Sequence, residues 1–413
     1  MVTATSLKHT DRPSAVEPDQ TRTDTASGTV RPAPDRFARA LAAADIRIGG
    51  DRPWDMRIND PRALSAVRRR GMIGLGESYM NGWWDCDAID QMFDRAVRAG
   101  APALFRHHPR VILGWLGALL RNGQTRRASA RDISAHYDLG YELFSKTLDR
   151  RMAYSCGYWR DAHTLDEAQE AKLELVCQKL GLEPGMRVLD IGCGWGSFVK
   201  YAVERHGVRA VGVTLSHDQA EHDRALCKGL DVEILLKDYR AITGRFDRIA
   251  SIGMFEHVGP KNYRTFMDVA RRSLADDGLF LLHTFATRDS FPSRIHSEVD
   301  WINRRIFPGL VTPSMAQIGR ALDGRFVIED VENFGADYDP TLMAWCANFD
   351  RAWPELSAHY DERFRRMWRY YLLQCAGAFR ARGYQVWQLL LSKHGAPGGF
   401  VRPLPGAGST AAC

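Results

Sequence analysis

No two of the eight cysteines in this chain stand as C-x-x-C. A zinc knuckle or a disulfide framework is therefore not expected, no metal site is predicted, and the thiols read as reduced. No stretch reaches the roughly 20 apolar residues that span a bilayer. The longest apolar run, Val111–Leu120, is half that length. Strong charge is also missing. A formal charge of +6 over 413 residues is too mild for a dedicated nucleic-acid binder, so no nucleic-acid partner is expected. It does suit an anionic membrane surface. The N-terminal stretch is Thr, Asp, Ser, Pro and Arg with no apolar core. No signal peptide is expected there, residues 1–35 read as a disordered tail, and the expected location is cytoplasmic.

Three further zones follow. Residues 36–125 form a small N-terminal domain rich in Arg, Gly and Trp, closing near the polar linker Asn122–Ser129. Within it, Val111–Leu120 is flanked by Arg106, His107, His108 and Arg110, then by Arg121, Arg126 and Arg127. Basic flanks suit a helix lying in a membrane interface, and a buried helix with solvated ends fits equally. Residues 126–396 form a long α/β region, and 397–413 a C-terminal tail. The α/β region reads as strands at 187–193, 209–215, 232–236, 246–252, 279–285, 326–331 and 384–391. Helices are expected at 197–206, 218–228 and 263–274. Short, nearly unbroken apolar strands suit a sheet covered on both faces. Their alternation with helices predicts a doubly wound, mostly parallel, seven-stranded sheet, with ligands at the carboxyl ends of the strands.

The first of these strands ends Asp190-Ile-Gly192-Cys-Gly194-Trp-Gly196. Glycines let the backbone approach a ligand closely, because no Cβ intervenes. A dinucleotide loop reads G-x-G-x-x-G and aims a helix N-terminus at a pyrophosphate. Here the spacing is tighter, and Asp190 would repel phosphate. The loop suits a cationic ligand such as S-adenosylmethionine (SAM). A dinucleotide loop or a plain tight turn stays open on this segment alone. The second strand lacks the acidic residue that holds a ribose in dinucleotide binders. Thr214 and Gln219 are its local hydrogen-bonding substitutes, and Asp238-Tyr239, after the third strand, is placed to meet an adenine or its ribose. Glu256 and His283 follow at the fourth and fifth strand tips, on the same sheet edge, which favours a site over a solvated loop. His257 is set aside, since a neighbour of Glu256 would point elsewhere.

With these residues the chain resembles bacterial cyclopropane-fatty-acyl-phospholipid synthases and, more distantly, the mycolic acid cyclopropane synthases and methyltransferases. The resemblance is carried by His136–Phe144, Tyr154-Ser-Cys-Gly-Tyr-Trp159, Val188–Phe198, Val213–Ser216 with Gln219, and Met254-Phe-Glu-His-Val-Gly259. Leu281-Leu-His-Thr284, Trp301-Ile-Asn303, Ile306-Phe-Pro308, Asn333–Tyr338 and Cys375–Arg382 add to it, as does Gly74–Trp84 near the N-terminus. It implies the class I SAM-dependent methyltransferase fold. It places Tyr154, Ser155, Gly192, Gly194, Gly196, Thr214 and Gln219 beside SAM. It assigns Cys156, Glu256, His283 and Tyr338 to a bound bicarbonate that accepts a proton. The implied reaction sets a methylene across the cis double bond of an unsaturated phospholipid chain. Peripheral membrane contact and a homodimer are implied with it. Phe285 stands where relatives often have isoleucine. Tyr338 is expected outside an apolar core, because Asp337, Asp339 and Pro340 surround it. The aromatics of Phe364–Phe379 fit plain core or an acyl channel. Other readings are a methyltransferase that leaves a methyl branch or an alkene, one acting on a small amine or phenol, and a lipid-binding module without catalysis.

Overall fold

The computed structural model describes residues 36–101, 140–288, 290 and 297–402. The tail 1–35, the apolar segment Val111–Leu120, the linker 122–129 and residues 403–413 lie outside these.

In chain order the longer elements begin with helices α1 (Arg62–Met80), α2 (Ile89–Arg98), α3 (Tyr141–Thr147) and α4 (Leu165–Leu180). Strand β1 (Arg187–Ile191), α5 (Ser197–His206), β2 (Arg209–Thr214), α6 (His217–Leu226), β3 (Val232–Leu236) and β4 (Phe246–Ile252) follow. Then come α7 (Tyr263–Ser273), β5 (Leu274–Thr287), α8 (Ser297–Arg305), α9 (Met315–Leu322) and β6 (Val327–Asn333). The chain closes with α10 (Tyr338–Leu356), α11 (Glu362–Arg380) and β7 (Tyr384–Ser392). The seven strands form one sheet in the order β3-β2-β1-β4-β5-β7-β6. The first five strands of that order run parallel, and β7 pairs antiparallel with both β5 and β6. Strand order reverses between β1 and β4, which is where a doubly wound sheet opens a crevice.

Both faces of the sheet are apolar. Val188, Ala250, Leu281 and Leu390 pack under α4 and α5, against Leu173, Val176 and Phe198. Leu189, Ile191, Ile249, Phe280 and Leu282 pack on the other side, with Phe266 of α7 and Ile318 of α9. Successive residues of a strand thus feed opposite cores, so nearly every strand position is hydrophobic. Strand β5 begins at Leu274, directly after α7, and meets β4 through a register irregularity between Phe246 and Arg248.

Helix α4 is not assigned in the sequence analysis, although its ends are well marked. Thr164 and Glu167 form a capping box, and Gly181 ends the helix in the left-handed region at φ 56°. Helix α1 breaks at Gly71, whose φ of 56° and ψ of −134° are non-helical. Residues 36–101 share one apolar core with α10 and α11. A Cβ at Gly377 of α11 would lie 2.2 Å from the Asp90 carbonyl of α2, so only glycine permits that approach. Arg380 then joins Asp90 and Asp339, each at 2.7 Å. No helix among the described residues is long and apolar enough to cross a membrane.

Candidate functional site

Strand β1 delivers Asp190 to the carboxyl edge of the sheet, and the chain turns at Gly192, Gly194 and Gly196, with φ values of 91°, 57° and 76°. The turn is held by the N–H groups of Gly192 and Cys193, which both donate to the Val213 carbonyl, at 2.9 and 3.0 Å. A Cβ on Gly192 would stand 2.7 Å from Met254. The positive φ and the crowding together explain why glycine is needed here. Over this turn opens a cleft with about 930 Å³ of empty space. Of the residues expected to bind a cofactor, Tyr154, Ser155, Asp190, Gly192, Gly194, Thr214, Gln219 and Tyr239 line it. Gly196 and Asp238 do not. Gly196 opens α5, and a Cβ there would meet the Asp223 carboxylate at 3.0 Å. Asp238 turns back to cap the following short helix, accepting from the Arg240 N–H at 2.9 Å.

Two buried polar atoms of the cleft lack partners among the described residues: Asp190 Oδ1 and Gln219 Nε2. Thr214 donates to Gln219 Oε1 at 2.8 Å, which leaves the amide nitrogen as a spare donor. Burial pushes the Asp190 carboxyl up to about 7, against the pull of Lys172. Lys172, on α4, is buried and donates to Ser155 Oγ at 2.9 Å. Burial draws its ammonium down to about 8. An unpaired buried acid and an unpaired amide donor fit a ligand bearing both a cationic amine and acceptor atoms.

The four residues expected to hold an anion do not line this cleft. They are buried next to it, and contacts between their elements hold them there. Cys156 follows Ser155 in a loop pinned to the start of α10. Gly157 N–H donates to Thr341 Oγ1 at 3.1 Å, and Trp159 N–H to Asp337 at 2.7 Å. Glu256 Oε1 accepts from the Phe285 N–H at 2.5 Å, which fastens the tip of β4 to β5. His283 is two residues back on β5. The Phe285 ring stacks on Tyr338, with centroids 5.1 Å apart. Glu256 Oε2 and His283 Nε2 are buried without a partner among the described residues. Burial raises Glu256 to about 7 and holds His283 well below its ordinary value. The Cys156 thiol and the Tyr338 phenol are pushed well above theirs, so both stay protonated. Cys156 Sγ donates to the Gly157 carbonyl at 3.2 Å and is no nucleophile in this state.

Tyr338 corrects the sequence expectation. It lies in the aromatic core, 5% exposed, with Phe379 and Trp345 against its edge. Its charged neighbours do not prevent this, because successive helical residues point about 100° apart. Asp337 faces the Trp159 N–H and Asp339 faces Arg380, while Tyr338 points inward. Phe285 fills the space beside it. His257, set aside on sequence, lines the cleft while Glu256 points behind it. Lys172 is the functional candidate the sequence reading missed. Its signal is a helical stripe, Leu165, Gln169, Lys172, Val176 and Lys179, in which lysines occupy core-facing positions. Of the Phe364–Phe379 aromatics, Tyr371 reaches the Tyr154 hydroxyl at 3.1 Å, while Trp368 and Tyr370 are core.

Comparison with known proteins shows the family. The family model for mycolic acid cyclopropane synthetase matches residues 124–389. The cyclopropane-fatty-acyl-phospholipid synthase of Escherichia coli K12 is 50% identical over 354 residues, 86% of this chain and 91% of that protein. Cyclopropane mycolic acid synthase 1 of Mycobacterium tuberculosis is 36% identical over 279 residues, covering 63% of this chain and 96% of its own. Among solved structures, the mycolic acid cyclopropane synthase CmaA1 complexed with SAH and CTAB superposes with a TM-score of 0.60 at 36% identity. It covers 64% of this chain and 98% of that one.

Proposed function

The chain belongs to the mycolic acid cyclopropane synthetase family, and from that premise we propose that it transfers a methylene from SAM to the cis double bond of an unsaturated phospholipid acyl chain, closing a cyclopropane ring. Its fold is that of the SAM-dependent methyltransferases, and it is a SAM-dependent transferase. The observation that carries the finer reading is the buried pair Glu256 and His283, each with one unsatisfied polar atom, beside a cleft that fits a cationic nucleoside.

Asp190 would take the amine of the cofactor and Gln219 Nε2 would donate to one of its acceptor atoms, while Tyr154 and Ser155 close the side toward the buried residues. Bound there, the sulfonium supplies an electrophilic methyl. An alkene is a weak nucleophile, so the chain's main contribution is alignment in a water-free space. Tyr154, Phe307, Trp345 and Tyr371 make a continuous aromatic wall, with ring centroids 5.2–6.0 Å apart. Their faces favour positive charge on the acyl chain, and their bulk excludes water that would capture it. The added carbon must lose a proton for the ring to close. Glu256, His283 and Tyr338 would hold a small anion, and bicarbonate, which has the fitting size and donor–acceptor balance, would supply the base for that proton. Glu256, neutral through much of the range below about 7, donates to the anion from Oε2. Cys156 shapes the floor of the pocket through its backbone. The substrate demands contact with a bilayer surface, and a homodimer completes the reading; both rest on the resemblance.

The test is purified protein with SAM and liposomes of monounsaturated phospholipid, with products read by mass spectrometry and catalytic hydrogenation. Gain of one CH₂ unit with loss of the hydrogenatable double bond supports the proposal. Gain with the double bond retained assigns a methylated alkene instead. No gain from folded, SAM-bound protein overturns it.

A further inference from the structure

We propose that Gln388, oriented by Lys179, is a positioning residue that fixes the tautomer of His283, so that the imidazole offers an N–H, and not a lone pair, to the buried site. The inference rests on the reading of His283 as an active-site residue.

The arrangement follows from sheet register. His283 on β5 pairs with Gln388 on β7, and Gln388 pairs with Glu332 on β6. Residues directly opposite in adjacent strands put their side chains on one face, so the three form a row across the sheet. Helix α4 crosses that face and lowers Lys179 onto the row. Its Nζ stands 2.8 Å from Gln388 Oε1, 2.5 Å from Glu332 Oε2 and 3.6 Å from Asp330 Oδ2. Lys179, Gln388 and His283 are all buried. Burial draws the Lys179 ammonium down from its ordinary value, and the two carboxylates beside it oppose that and favour its charged form.

An ammonium has donors and no acceptor. The amide end that faces Lys179 is therefore the oxygen. The other end, the NH₂, then faces His283 Nδ1 at 3.3 Å and can only donate. Nδ1 must be the bare nitrogen of the ring. Burial, with the positive charges of Lys172 and Lys179, keeps the imidazole neutral. A neutral imidazole carries one ring proton, so that proton sits on Nε2, the atom that has no partner among the described residues. His283 is thus a hydrogen-bond donor toward the site. It does not take the proton released when the ring closes, and that task falls to an acceptor it helps to hold.

The test is the ¹⁵N spectrum of histidine-labelled full-length protein at neutral pH, with the His283 signals assigned by difference against His283→Asn. The expected pattern is a protonated Nε2 and a bare Nδ1. A protonated Nδ1, or an imidazolium, overturns the proposal in the unmodified protein, whatever any variant does. Gln388→Leu removes the donor and should let the two tautomers mix. Turnover should then fall about 10- to 100-fold, by analogy with the partners that orient metal-bound histidines, with KM for SAM unchanged. Lys179→Met should give the same mixed spectrum by freeing the amide to flip. Unaltered tautomer and turnover in folded Gln388→Leu would reduce the row to a structural tie between α4 and the sheet. A protonated Nε2 in a protein that forms no cyclopropane would leave the relay standing and remove the proposed reaction.

Discussion

The open cleft and the buried residues beside it include two carboxyl groups in nearly the same electrostatic state. Burial pushes Asp190 and Glu256 each up to about 7. Their surroundings ask for opposite partners. Asp190 has Lys172 nearby and an unsatisfied oxygen at a cleft open to ligand, so arrival of a cation ionises it. Glu256 has one oxygen on the Phe285 N–H and the other buried with no partner among the described residues, and under the proposed reaction its protonated form would donate from there to an anion. A raised carboxyl by itself names no role. What the second oxygen faces decides it.

The contrast is broken most severely at Glu256. Glu256→Leu removes the donor while roughly keeping the volume, and turnover should fall about 1,000-fold, as for loss of a group aimed at the reacting charge. Calorimetry should show unchanged SAH affinity; a parallel loss of binding would merge the two regions into one. Asp190→Asn should do the reverse. Cofactor affinity should drop about thirtyfold, for the loss of a charge-assisted bond of about 2 kcal/mol. Turnover at saturating SAM should persist.

The pH response sharpens the same division. Free Asp190 is protonated below about 7, and a bound ammonium favours its carboxylate. Binding therefore releases a proton, and SAM affinity should rise by up to about tenfold per pH unit below that point and level off above it. Above about 8, loss of charge on Lys172 enters as a second limb. Asp190→Asn should flatten the lower limb in a titration series. Stability of the ligand-free protein moves the other way. Asp190 and Glu256 have native values above their ordinary 3.8 and 4.5. Their contribution is complete below those ordinary values and is lost as pH rises through about 7, so the urea midpoint should fall across that window. The smallest effect belongs to Gln219→Leu. One neutral hydrogen bond of about 1 kcal/mol predicts about fivefold weaker SAM binding, with the buried residues beside the cleft untouched.

The cleft was legible in the sequence because its parts are short-range. Asp190 and the glycine turn lie within seven residues, and Thr214 and Gln219 sit at the end of the neighbouring strand and the start of its helix. The strand spans read from apolar runs agree with the structure to within a few residues, apart from β5, which begins five residues early in direct continuation of α7. Lys172 and Lys179 show in the sequence only as lysines on an apolar stripe, whose meaning appears once their buried partners are known. Tyr338 was misjudged for the same reason: its charged neighbours find partners on other elements.

Local chemistry in the sequence determined the alternation of strands and helices, the positive-φ turn after β1 and the chemical types gathered at the strand tips. These depend on backbone sterics and on hydrophobic patterning a few residues at a time. Only the tertiary structure decided which carboxyl lines the open cleft and which is buried behind it, that β7 enters antiparallel between β5 and β6, and that His283, Gln388, Glu332 and Lys179 meet in one row. Those outcomes depend on strand register and on burial, in which segments more than a hundred residues apart set each other's solvation and protonation.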